Sequence, residues 1–146
     1  MQEELVLFGP VDVYLAPVME FIVFGLVLLN MALRHRAHSL HKRQAADGGA
    51  EAITRYTPHV ASNIVLLLAT FYYMTIHHHG GMVLSVLVLA MLISDLFEFE
   101  SRKVEARSDL ALDLPKAAIG ASVFVFLYSA YDALFFLIAD YWSLIV

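Results

Sequence analysis

Three consecutive histidines, His77-His78-His79, followed by Gly80-Gly81, form the densest set of metal-ligating side chains in the sequence. Successive helical residues point about 100° apart, so one helix cannot aim all three at one ion. Unwinding at the glycines would bring two together, with Glu20, Asp140 or Met82 completing a zinc or copper site. The plainer reading is favoured: polar residues that end a helix at a membrane boundary, partly in water. His59 lies on the same helical face as His77, and histidines on facing helices of a bundle hold haem in membrane cytochromes. The other apolar stretches contain no histidine, so the second haem ligand would have to come from another chain. No cofactor is therefore expected.

Glu20 and Asp132 are carboxylates within apolar runs, where a charge costs about 2.5–3.5 kcal/mol at mid-bilayer. Tyr128 lies one helical turn before Asp132, and Tyr131 adjoins it. A protonated or hydrogen-bonded acid there, joined to Asn63, Thr70 and Tyr73, would make a proton or cation site. Against this, each acid is about two turns from its helix end, within reach of water or a partner. Arg34, Arg36, Lys42 and Arg43 suit anionic lipid headgroups. Asp95, Glu98 and Glu100 read as a solvated helix end, neutralised by Arg102 and Lys103, with Glu98 and Arg102 spaced to pair. No phosphate-binding loop, HExxH, GxSxG or dinucleotide-binding glycine pattern occurs, so no enzyme is expected.

The elements that would carry these residues are helices. The 146-residue chain is 60% hydrophobic and 16% charged, beyond ordinary soluble composition. Its apolar residues fall in four blocks, each near the length that crosses roughly 30 Å of hydrocarbon. Spans are expected at about 13–33, 58–79, 82–98 and 116–138, with polar loops at 34–57 and 99–115. The fold class is all-α: a polytopic membrane protein with four transmembrane helices in an antiparallel bundle.

The second span organises the bundle. His59, Asn63, Leu66, Thr70, Tyr73 and His77 recur in steps of three and four and share one face. An unpaired amide is costly in hydrocarbon, so that polar line should turn inward. Ile64, Val65, Leu67, Leu68, Phe71 and Tyr72 are left to lipid or an apolar neighbour. Gly9-Pro10 punctuates an interfacial segment, Leu5–Ala16, and Pro17 suits a first helical turn. Arg34 onward continues the first helix as a basic extension that loosens at Asp47-Gly48-Gly49. Thr57 reads as the N-cap of the second span and Pro58 as its first residue. Ala117/Ala121, Ala118/Ser122 and Gly81/Ser85 are small-residue pairs that permit close helix approach.

All nine lysines and arginines lie in Arg34–Arg55 and Arg102–Lys116. Positive charge stays cytoplasmic, so both termini and the histidine turn are expected outside. Tyr141-Trp142 suits an aromatic belt at the outer boundary. The N-terminus is acidic, unlike a secretory signal, and no cleavage is expected. The net charge of −5 excludes a nucleic-acid partner, and the absence of cysteine excludes disulfides and thiolate chemistry.

The run FYYMTIHHHGGMVLSVLVLAMLISDLFEFESRKVEARSDL from Phe71, and PKAAIGASVFVFLYSA from Pro115, resemble an uncharacterised family of small four-span integral membrane proteins of haloarchaea. The resemblance implies a plasma membrane in multimolar salt, where the Debye length is below about 3 Å and surface ion pairs count for little. It brings no site residues. The residues thus point first to a non-catalytic accessory or scaffold subunit of a membrane complex, able to self-associate, with lipid, other membrane subunits or its own copies as partners. The alternative is a small oligomeric ion channel or proton-coupled transporter using the intramembrane carboxylates. A haem or metal protein using His59 and His77–His79 comes third.

Overall fold

The computed structural model describes residues 8–145, and every regular element among them is helical. Met1–Leu7, including the start of the expected interfacial segment, lies outside the described residues. A short helix α1 (Pro10–Leu15) leads through a 3₁₀ turn at Ala16–Val18 into α2 (Met19–Gly48). After a second 3₁₀ turn, Gly49–Ala52, come α3 (Thr57–Ile76), α4 (His78–Arg107) and α5 (Lys116–Leu134). A third 3₁₀ turn, Phe135–Leu137, precedes α6 (Ala139–Ile145).

Four helical stretches are long and apolar enough to cross a membrane: Pro10–Ala52, Thr57–Ile76, His78–Arg107 and Lys116–Leu137. They pack in a ring, α3 between α2 and α4, and α5 between α4 and α2. At 1.5 Å per residue, α2 and α4 are each about 45 Å long, and α3 and α5 about 30 Å. The two long helices therefore overhang the short ones at the basic end. The overhang is helical through Gly48 and Arg107, so much of what reads as polar loop at 34–57 and 99–115 is helix. Gly49 ends α2 with φ of 68°, in the left-handed region that glycine enters without a Cβ clash.

The buried positions explain why each helix faces as it does. On α2 they are Met19, Val23, Val27, Asn30, Arg34, Ala37, His38 and His41, a single stripe in steps of three and four. On α3 they are Ser62, Asn63, Leu66, Thr70 and Tyr73. Ala118, Ser122, Val125, Ser129 and Ala133 form the stripe on α5, so the small pair Ala118/Ser122 is spent inside the chain. The opposite faces expose Leu28, Ile64, Leu68, Val86, Leu89 and Phe124. In water that surface would be an outsized apolar patch; hydrocarbon suits it.

The α3–α4 corner differs in detail from the expected helix end at Gly80-Gly81. The break falls at His77 alone, with φ −121° and ψ 87°, and both glycines are helical. Gly81 lies so close to α3 that a Cβ there would overlap the backbone of Met74. Tyr72, expected on an apolar face, donates its hydroxyl to Asp12 Oδ1 at 2.7 Å and ties α1 to the end of α3.

Candidate functional site at the basic end of the bundle

Polar side chains gather at the two ends of the helix ring. Where α3 begins, Arg34 of α2 grips Asp95 of α4 with two parallel bonds, Nε to Oδ1 at 3.1 Å and Nη2 to Oδ2 at 2.8 Å. Arg34 is 4% exposed, so this forked pair is a buried one. Asn63 donates to Asp95 Oδ2 at 3.1 Å and accepts from Asn30 Nδ2 at 2.6 Å. Asn30 Nδ2 also donates to Ser62 Oγ at 2.8 Å. The network thus ties α2, α3 and α4 together with amide and ionic bonds, which hold helices where hydrophobic driving force is absent.

About two turns further along the overhang lies a second pairing. Arg102 Nη1 donates to His41 Nδ1 at 2.8 Å, and His41 Nε2 is 2.9 Å from the carbonyl of Thr54. A guanidinium cannot accept, so Nδ1 must be the bare nitrogen and Nε2 must carry the proton. That assigns the tautomer. Burial first, and the Arg102 charge second, hold the imidazole pKa down to about 4. His38, on the same overhang beyond the 13–33 stretch, is likewise lowered, by burial and then Arg102.

These pairings place several sequence-predicted residues differently. Arg34 cannot meet lipid headgroups, because it is buried against Asp95; Arg36, Lys42 and Arg43 remain exposed. Asp95 and Arg102 are no solvated helix end. Arg102 does not pair with Glu98, whose Oε1 instead accepts the Ala117 N–H at 3.1 Å, at the first turn of α5. That N–H has no partner within its own helix. His59 approaches Asp95 Oδ2 at 3.6 Å, within the chain.

At the other end, Tyr73 donates to Asp132 Oδ2 at 3.3 Å, joining α3 to α5. Tyr73 also packs its ring against His77, centroids 5.1 Å apart. Glu20 and Tyr128 are half-buried, and Tyr128 packs on the apolar core. His77, His78 and His79 are exposed, and among the described residues no three His, Asp or Glu gather to hold a metal ion.

Thr70 does not join the two ends. Its hydroxyl donates to Leu67 O of its own helix at 2.8 Å, and it is fully buried. Around it Val27, Leu66, Leu84, Val88 and Val125 are each at most 1% exposed, a dry layer between the polar ends. Asn63 and Tyr73 are about 15 Å apart along α3. The other buried hydroxyls between the ends make no bond between helices, Ser122 and Ser129 bonding within α5 and Ser85 lacking a partner among the described residues, so no hydrogen-bonded path joins the two ends.

Sequence reasoning missed Asn30, His41, Ser62, Asp95 and Arg102 as members of a centre. The signal was present: Val23, Val27, Asn30, Arg34, His38 and His41 continue one stripe across the apparent loop boundary. No curated protein and no solved structure matches the chain. A family model does match, over residues 3–146, so the chain belongs to the family described as a domain of unknown function, DUF7313.

Proposed function

We propose that the protein is a non-catalytic integral membrane subunit, an accessory or scaffold element that packs side-on against other membrane subunits and against copies of itself. The observation that carries this reading is the division of the interior. At each end polar side chains bond between helices of the same chain, and an apolar layer parts the two ends. What remains for a partner is the apolar outer face. It is set in the plasma membrane with the basic overhang cytoplasmic and both termini outside, because all Lys and Arg cluster at one end. The resemblance to haloarchaeal proteins adds an archaeal, halophilic setting. Buried pairs such as Arg34–Asp95 keep their strength in such salt, where surface pairs are screened.

The test is mass spectrometry of the particle extracted gently from its own membrane. Heterologous membrane subunits in fixed ratio are expected; emergence of the chain only as a lone monomer would overturn the reading. Since the chain lacks cysteine, single cysteines at Arg43 and at His78 report orientation by impermeant labelling, with His78 expected to react from outside. A second reading, a small oligomeric channel or proton-coupled transporter, draws on the half-buried Asp132 beside Tyr73 and on Glu20. It needs a path between copies, since the dry layer closes the interior of one.

A further inference from the structure

Buried donors at the basic end lack acceptors among the described residues. Asp95 is the carboxylate of the network, and Arg34 takes both its oxygens. Arg102, 6% exposed, has a neutral imidazole as its hydrogen-bond partner, and its Nε has no partner among the described residues. Glu98 and Glu105 attract Arg102 electrostatically, but their hydrogen bonds go to the Ala117 N–H and, at 3.2 Å, to the Asp113 N–H. Glu100 reaches Arg55 at 3.7 Å, a long and solvent-exposed contact. A buried guanidinium N–H without an acceptor is costly, and an anionic oxygen that accepts from it is correspondingly well held.

Arg102 borders a cavity of about 240 Å³ between α3 and α4. Its polar head is made by Arg102, Arg55, His59 and Tyr56, with the Nε2 of His59 buried and also without a hydrogen-bond partner. Its wall is apolar, formed by Val60 and Ile64 of α3 and by Leu92 and Leu96 of α4. Ile64 and Leu96 are both more than half exposed, so that wall opens on the outer face of the bundle. Arg55 sits over the Phe99 ring at 4.2 Å, at the mouth of the cavity. The Asp95 carboxylate also borders the cavity, already neutralised by Arg34.

A cationic head above an apolar groove, at the end of the helices, matches one ligand class. We infer that the α3–α4 groove is a binding site for a phosphate-headed lipid: the phosphate lies against Arg102 and Arg55, with His59 and Tyr56 beside it, and an acyl chain runs down past Ile64 and Leu96. The inference rests on the membrane reading of the bundle but not on its role as an accessory subunit. Guanidinium suits phosphate through its forked donors, and the groove between α3 and α4 is lined by none of Arg36, Lys42 and Arg43.

The test uses the full chain in nanodiscs of phosphatidylcholine doped with phosphatidylglycerol, with bound lipid read by native mass spectrometry after release. Wild type is expected to retain phosphatidylglycerol in preference to phosphatidylcholine, at about one per chain. Arg102→Gln should lower that preference about tenfold, the scale of one lost charged hydrogen bond. Arg55→Gln, at an exposed position, should lower it several-fold and keeps the test open if the Arg102 variant fails to fold. Equal retention of the two lipids by wild type, or unchanged preference in both variants, would overturn the site. Displacement of the lipid by millimolar inorganic phosphate would overturn the lipid as its occupant. Failure of the chain to enter nanodiscs at all would instead count against the membrane reading, so the two failures are distinguishable.

Discussion

Arg102 passes over Glu98, one helical turn before it on α4, and donates instead to Nδ1 of His41 on α2 at 2.8 Å. The choice is set by burial. The α2–α4 overhang encloses both residues, while Glu98 turns to the first turn of α5. A helix end that local spacing marks as a solvated i,i+4 pair is thereby converted into a contact between distant parts of the chain.

That contact makes stability depend on pH. His41 is neutral in the fold, with its pKa held to about 4, against about 6.5 when unfolded. Between those values the unfolded chain binds more protons, so stability is fully present above pH 6.5 and is lost as pH falls toward 4. The loss should approach about 3 kcal/mol, with His38 adding in the same direction. His41→Gln keeps an acceptor for Arg102 and a donor for Thr54 without titrating. Thermal unfolding across pH 4–7 should slope steeply for wild type and less for the variant; equal slopes would refute the assignment.

Breaking one partner of the Arg34–Asp95 pair should cost about 3–5 kcal/mol, since the other is left buried and charged. Asp95→Asn and Arg34→Met are the single changes. The double variant should cost clearly less than their sum, because no uncompensated charge remains. A double-mutant cycle by unfolding in mild detergent measures the coupling. Additive losses would show that the two side chains do not meet.

The polar line on α3 divides into residues that bind other helices and one that does not. Asn63→Leu removes one of the two acceptors of Asn30 Nδ2 and a donor to Asp95, and should cost about 1–3 kcal/mol. Thr70→Val removes a hydroxyl bonded only to its own helix, so its cost should stay within about 1 kcal/mol. Unfolding midpoints of the two variants compare them directly. An equal or reversed order would contradict the network.

Glycines give a steric test. Gly81→Ala places a Cβ into the Met74 backbone and should force α3 and α4 apart, costing about 2 kcal/mol or more. Gly120→Ala meets nothing within 4 Å on α5 and should be stabilising by about 0.5–1 kcal/mol through helix propensity. The melting temperatures should move in opposite directions.

How much of this was legible beforehand follows from the range of the interactions. The inward face of α3 could be read from Asn63, Leu66, Thr70 and Tyr73, because helical period fixes which residues share a side and desolvation decides which side is buried. Arg34 and Arg102 could not be read the same way. Each pairs with a residue 61 positions away, and although the α2 stripe carries Arg34 onto the buried face, nothing local names its partner. The acids were half legible: Asp132 stood out within an apolar run and finds Tyr73, whereas Asp95, among other charges, was masked by them. The histidine turn was the reverse case, conspicuous in sequence yet exposed, where the helix breaks at His77.

The central claim is that the bundle supports a membrane assembly and conducts nothing through its own interior. Ion and proton flux into liposomes carrying the purified chain tests that claim most directly, with Glu20→Gln and Asp132→Asn alongside. The dry layer of Val27, Leu66, Val88 and Val125 predicts flux no greater than in protein-free vesicles for all three proteins. Flux in wild type that either substitution abolishes, with assembly intact, would contradict it and make the carboxylates a transport site.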